Sequence, residues 1–128
     1  MNIKTPGIHH LALRVSNFER AKEFYNSKMG FQIILELPNL FIFLAGKTPI
    51  GIRGPENKTT SNDSFNPFRV GLDHLAIGCE SNDELQRIAN ALNEHYIENT
   101  GIKHDDVLNK DYIAFKDPDR ISWEYYMV

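Results

Sequence analysis

The chain has 128 residues, 41% of them hydrophobic and 24% charged, enough to bury the core of one compact domain. A net charge of -3 gives no electrostatic case for nucleic acid or an anionic membrane surface, and no apolar run reaches membrane-spanning length or forms a signal-peptide core. The single cysteine, Cys79, excludes an internal disulfide, so a cytoplasmic protein is expected.

Strict alternation marks the first strand, with His10, Ala12 and Arg14 on one face and Leu11, Leu13 and Val15 on the other. Ser16-Asn17-Phe18-Glu19 reads as a capping box with Ser16 as the N-cap. A helix follows through Phe18, Ala21, Phe24, Tyr25 and Met29, and Gly30 stops it. Phe31, Ile33, Leu35 and Leu37 alternate as a second strand, which sends Gln32 and Glu36 to the side of His10 and makes Glu36 a candidate base or a solvated acid. Residues 40–45 form a third strand, and Gly46-Lys47-Thr48-Pro49 turns into a fourth at 50–53. Residues 54–67 are rich in Pro, Asn, Ser, Thr and Gly and read as a linker.

The pattern then restarts. Residues 72–79 form a strand with His74, Ala76 and Gly78 on one face. Ser81-Asn82-Asp83-Glu84 is a second capping box, and Leu85, Ile88, Ala89 and Leu92 make the stripe of a helix. Residues 94–110 are polar and carry no clear period. Residues 112–115 form a strand, Asp117-Pro118-Asp119 a turn, and 121–127 the last strand.

His10 and His74 are 64 positions apart, as are Leu13 and Ile77, and Ser16 and Ser81 are 65 apart. The chain is therefore expected to be α+β, one domain over 1–128 built of two βαβββ modules, about 7–54 and 70–128, joined at about 55–69. Each helix is expected to cover the face bearing Leu11, Leu13, Leu75, Ile77, Trp123 and Tyr125, leaving His10, His74 and Glu124 on faces that enclose a metal-binding cleft. Two imidazoles and a carboxylate form a three-donor set with coordination positions left open for substrate. A lone strand histidine is more often structural, and a glutamate between Trp123 and Tyr125 is more often an ion-pair partner. The matched positions of the two histidines favour ligation.

Ile8-His9-His10-Leu11-Ala12-Leu13-Arg14-Val15, Ala21-Lys22-Glu23-Phe24-Tyr25 and Met29-Gly30-Phe31 resemble the vicinal oxygen chelate superfamily. So do Leu72-Asp73-His74-Leu75-Ala76-Ile77 and Phe115-Lys116-Asp117-Pro118-Asp119 running into Trp123-Glu124-Tyr125. That superfamily holds glyoxalase I, bleomycin-resistance proteins, fosfomycin-resistance enzymes and extradiol dioxygenases. The resemblance implies the glyoxalase/bleomycin-resistance/dioxygenase-like fold, with metal ligands on the first and last strand of each module. His10 and His74 match the first-strand positions and Glu124 the second module's last-strand position. The fourth position falls on Gly51, which has no donor, a departure from the glyoxalase I pattern.

The resemblance thus implies a divalent ion (Fe, Mn, Ni, Co or Zn) and a small-molecule substrate with vicinal oxygens, turned over by an isomerase, lyase or dioxygenase reaction. The alternative is a bleomycin-resistance-like protein that sequesters a ligand without catalysis. A homodimer is expected, with modules kept within a chain or exchanged between chains. Tyr112 and Tyr126 alternate with Glu124 and are candidate proton donors or simply an apolar wall. Arg53 is a candidate grip for a substrate anion or a rim ion pair. His104 is a candidate acid-base group in a flexible loop or an exposed histidine. His9 is expected to face the helix side or a subunit interface, and Cys79 to be a buried inert thiol.

Overall fold

A computed structural model describes all residues, 1–128. The chain divides into two compact units, residues 1–62 and 63–128, each a four-stranded mixed sheet with one helical segment. This is the two-module α+β architecture that the internal repeat implies.

In the first unit the strands are β1 (Leu11–Arg14), β2 (Ile33–Leu37), β3 (Leu40–Ala45) and β4 (Thr48–Arg53), in the order β1-β4-β3-β2. β1 runs parallel to β4 and the other pairs are antiparallel. One face is packed: Leu13, Val15, Phe41, Phe43, Ile50 and Ile52 are buried with Ala21, Phe24 and Tyr25 of the helical segment. That segment is α1 (Phe18–Lys22) running into π-helical turns over Glu23–Lys28, seen in the Met29 N–H to Phe24 carbonyl bond of 2.9 Å. Tyr25 stacks on Phe43, their ring centres 5.6 Å apart. Gly30, at φ +78°, ends the helix in the left-handed conformation that glycine adopts freely.

Four local expectations need correction here. The N-cap of α1 is Asn17, whose side chain accepts from the Arg20 N–H at 3.0 Å, one residue beyond Ser16. β4 begins at Thr48, before the point expected. Pro49 is tolerated because β1 first pairs with β4 at Leu11 and Ile50, so no ladder with β1 exists yet. A register shift between Ile33 and Leu35 breaks the alternation of β2. Leu35 and Leu37 therefore share the open face with Ile42 and Leu40, while Glu36 pairs opposite buried Phe41 on the helix side. There the Lys22 ammonium binds its carboxylate at 2.9–3.0 Å, so Glu36 is not a base on the His10 face.

The second unit contains β5 (Leu75–Cys79), α2 (Asn82–Glu94), β6 (Asn99–Asp105), β7 (Lys110–Lys116) and β8 (Ser122–Met127), ordered β5-β8-β7-β6. Ser81 caps α2 by accepting from the Glu84 N–H at 3.1 Å, as the second capping box predicts. Leu85, Ile88, Ala89 and Leu92 bury the helix stripe, and Ile113, Phe115 and Trp123 bury the facing side of the sheet. Cys79 lies buried there, its thiol 3.4 Å from the Ser81 carbonyl. β6 was not legible in the sequence.

The β7–β8 turn is built around Asp117, 4% exposed, whose Oδ1 accepts from the N–H groups of Asp119 (2.9 Å) and Ile121 (2.7 Å). No helix is long and apolar enough to cross a membrane.

Candidate metal centre

His74 immediately precedes β5, which runs parallel to β8 with Leu75 beside Trp123 and Ala76 beside Glu124. Because Leu75 and Trp123 turn toward the core, alternation turns His74 and Glu124 outward together. His74 Nε2 lies 3.4 Å from Glu124 Oε2. The other ring nitrogen, Nδ1, is held by Asp73 Oδ1 at 2.7 Å. A divalent ion on Nε2 would place the ring proton on Nδ1, where Asp73 accepts it.

Two donors bound to one ion at about 2.0–2.1 Å stand roughly 2.8–3.0 Å apart in octahedral and about 3.3–3.4 Å apart in tetrahedral geometry, so the His74–Glu124 pair fits a shared divalent ion at the tetrahedral spacing. A carboxylate on the far nitrogen of a ligating imidazole is the usual supporting bond of such a site. No set of three His, Cys, Asp or Glu side chains is gathered to hold an ion.

Space lies next to the pair. Ala114 of β7 and Ala76 of β5 stand in register on either side of Glu124, and Ala114 lines the open volume beside the carboxylate. A cavity of about 330 Å³ opens there, bounded by His74, Glu124, Ala114, Phe115 and Trp123, with Phe68 at 95% exposure on its rim. Its wall is largely apolar with a few polar groups, which is the make-up of small-molecule sites.

His10, the equivalent residue of the first unit, precedes β1 and is exposed. Its Nδ1 lies 2.8 Å from Nδ1 of His9, the rings meeting edge to face at 5.0 Å. His9 is thus exposed and in contact with His10, not packed on the helix side. The residue before each matched histidine contacts its Nδ1, a repeat within the repeat. Gly51 pairs with Ala12 and presents only its backbone. Arg53 ends β4 opposite Arg14, with its side chain exposed.

Tyr112 and Tyr126 share the face of Glu124, stacked at 5.7 Å, but neither lines the cavity. The Tyr126 hydroxyl donates to Asp105 Oδ2 at 2.6 Å. Partial burial first, and the Asp105 carboxylate second, push its pKa up to about 12. At neutral pH it is a hydrogen-bond donor and a weak acid.

His104 lies within β6, not in a loop. Its Nδ1 is 2.7 Å from Asp111 and its Nε2 3.1 Å from Asn109, and the bond to Asp111 raises its pKa. Sequence reasoning missed Asp73, although it directly precedes His74. It also missed Lys116 and Ser122 of the cavity wall, which the alternation around Phe115 and Trp123 places on the open face.

The sequence model described as "Glyoxalase/Bleomycin resistance protein/Dioxygenase superfamily" matches residues 7–125, and the chain belongs to that superfamily. Its members commonly use divalent metal ions and bind small molecules. Among its relatives, the uncharacterized protein YwkD of Bacillus subtilis is 33% identical, the match covering 93% of this chain and 94% of YwkD. A solved glyoxalase family protein from Enterococcus faecalis is 28% identical with a TM-score of 0.76, covering 94% of this chain and 97% of that one. Lactoylglutathione lyase from Agrobacterium tumefaciens shares the fold, with a TM-score of 0.76 at 19% identity over 97% of this chain and 95% of the lyase.

Proposed function

We propose that the protein is a divalent-metal-dependent enzyme that acts on a small substrate with two adjacent oxygens, by an isomerase, lyase or dioxygenase reaction. The observation that carries the reading is the His74 Nε2–Glu124 Oε2 pair at 3.4 Å, backed by Asp73 and open to the cavity. His10 is the third donor, its Nδ1 met by His9 as that of His74 is by Asp73. The metal, when bound, supplies Lewis-acid stabilisation of negative charge that develops on the substrate oxygens.

The chain's own residues hold and shape the rest. Asp73 fixes the His74 ring, and Ala114 leaves room for the substrate beside Glu124. Tyr112 offers a phenol donor on the same face, Tyr126 would have to release Asp105 to act as one, and Arg53 is a cation for a substrate anion. The ion is one of Fe, Mn, Ni, Co or Zn, all of which accept imidazole and carboxylate ligands. A cytoplasmic location accords with the lone reduced thiol of Cys79.

Metal content of protein purified without added metal tests the reading, beside His10→Ala, His74→Ala and Glu124→Ala. Stoichiometric uptake by the wild type and loss in each variant is expected. Turnover of catechols, hemithioacetals and acyl thioesters, with and without oxygen, then separates oxygenation from isomerisation. The second reading, sequestration of an apolar ligand, is favoured by the exposed Phe68 on the cavity rim. It expects drug binding with no metal uptake.

The single domain is taken to act as a homodimer. If modules are exchanged between subunits, mixing His10→Ala with Glu124→Ala protein restores intact sites, whereas without exchange it restores none.

A further inference from the structure

Lys116 narrows the chemistry of the substrate. It ends β7 on the same face as Ala114 and lines the cavity that holds His74 and Glu124, the one Lys or Arg to do so. Its ammonium is fixed, not free-swinging: Nζ donates to Oγ of Ser122, its cross-strand partner, at 2.7 Å. An ammonium carries three N–H donors, and a neutral hydroxyl satisfies one of them.

Glu98, an acid of the same cavity wall, is committed to another cation. Glu98 is gripped by both terminal nitrogens of Arg120, at 2.9 and 3.4 Å, and chiefly this pairing lowers its pKa, with a smaller contribution from Lys116. Asp73 is bound to His74, and Glu124 faces the same ring. A partly buried cation in this cavity wall is therefore left without a carboxylate of its own, and a charge in such a setting is stabilised when an anion fills the space beside it.

We propose that Lys116, positioned by Ser122, receives an anionic group at the far end of the substrate. The substrate is then a small acid, a carboxylate or phosphate, whose other end carries the adjacent oxygens. This rests on the metal reading above. A cavity of about 330 Å³ lies at the small end of ligand sites and suits a compact acid. Lys116, unlike Arg53, belongs to the same unit and the same cavity as His74 and Glu124.

The test compares 2-oxoglutarate with 2-oxopentanoate, which has the same keto-acid head and chain length but ends in a methyl group. Binding to the full chain is followed by calorimetry with Mn²⁺ and by NMR shift perturbation without it. The wild type is expected to prefer the dianion by about tenfold, as a charge-assisted hydrogen bond provides. Lys116→Met removes the preference, Lys116→Arg retains it, and Ser122→Ala weakens it by a few-fold, all with unchanged Mn²⁺ uptake. A wild type indifferent to the tail charge, or a preference that survives in Lys116→Met, overturns the assignment. Failure of the wild type to take up Mn²⁺, with the tail preference intact in the metal-free titration, counts against the metal reading and upholds the anion site.

Discussion

Asp73→Ala isolates the supporting bond of the proposed metal centre. The carboxylate sits 2.7 Å from His74 Nδ1, and the side chain is 75% exposed against 42% for His74. Buried bonds of this type change metal affinity by about 10- to 100-fold. Solvent competes for a carboxylate this exposed, so the lower end applies: about tenfold weaker binding, which corresponds to about 1.4 kcal/mol. Asp73→Asn keeps an acceptor oxygen toward Nδ1 and loses only the charge, so it should fall by two- to threefold, between wild type and alanine. Mn²⁺ or Zn²⁺ titration calorimetry at one pH reads these differences, with His74→Ala as the floor. Thermal unfolding of the metal-free proteins should barely move, because an exposed pair of this kind adds little to folding. Equal affinity in Asp73→Ala and wild type would refute the argument that the Nδ1 bond prepares Nε2 for a ligand. A large fall in unfolding temperature would show instead that the bond serves the fold.

Three further outcomes follow from the structure. His104 is raised in pKa by Asp111, so its stabilising contribution is fully present below its unfolded value of about 6.5 and is lost as pH rises through the higher folded value. The difference in urea midpoint between wild type and His104→Gln should therefore be largest at pH 5–6 and vanish toward pH 9. Asp117→Ala removes a buried carboxylate that accepts from two backbone N–H groups, and urea unfolding should show a loss of about 3 kcal/mol. Glu36→Gln, on the helix side with Lys22, should leave metal uptake and turnover unchanged.

What could be read from the sequence was whatever burial writes as period. Leu13, Phe41, Ile52, Ile113 and Trp123 are core residues whose spacing sets the strands, and the open faces follow from them by alternation. His74 and Glu124 were legible for that reason. β6 was not, because Asn99–Asp105 includes a single large apolar residue, Ile102. That strand is held by its ladder to β7, with a register shift between Asn99 and Ile102, rather than by an apolar stripe. The same kind of irregularity in β2 moved Glu36 across the sheet. Capping residues one position apart, Ser16 and Asn17, carry nearly the same propensity, and only the backbone geometry separates them. The bonds from His9 and Asp73 to their neighbours are side-chain choices that no period records.

Ala114, flanking Glu124, sets a physical limit on which guests this sheet admits. It lies within β7 with its methyl on the open side, so enlarging it subtracts volume from the cavity while the core beneath keeps its packing. Selectivity by size and stability of the fold are thereby written on opposite sides of the same strands. A lineage could retune the first through Ala114 and leave the second untouched.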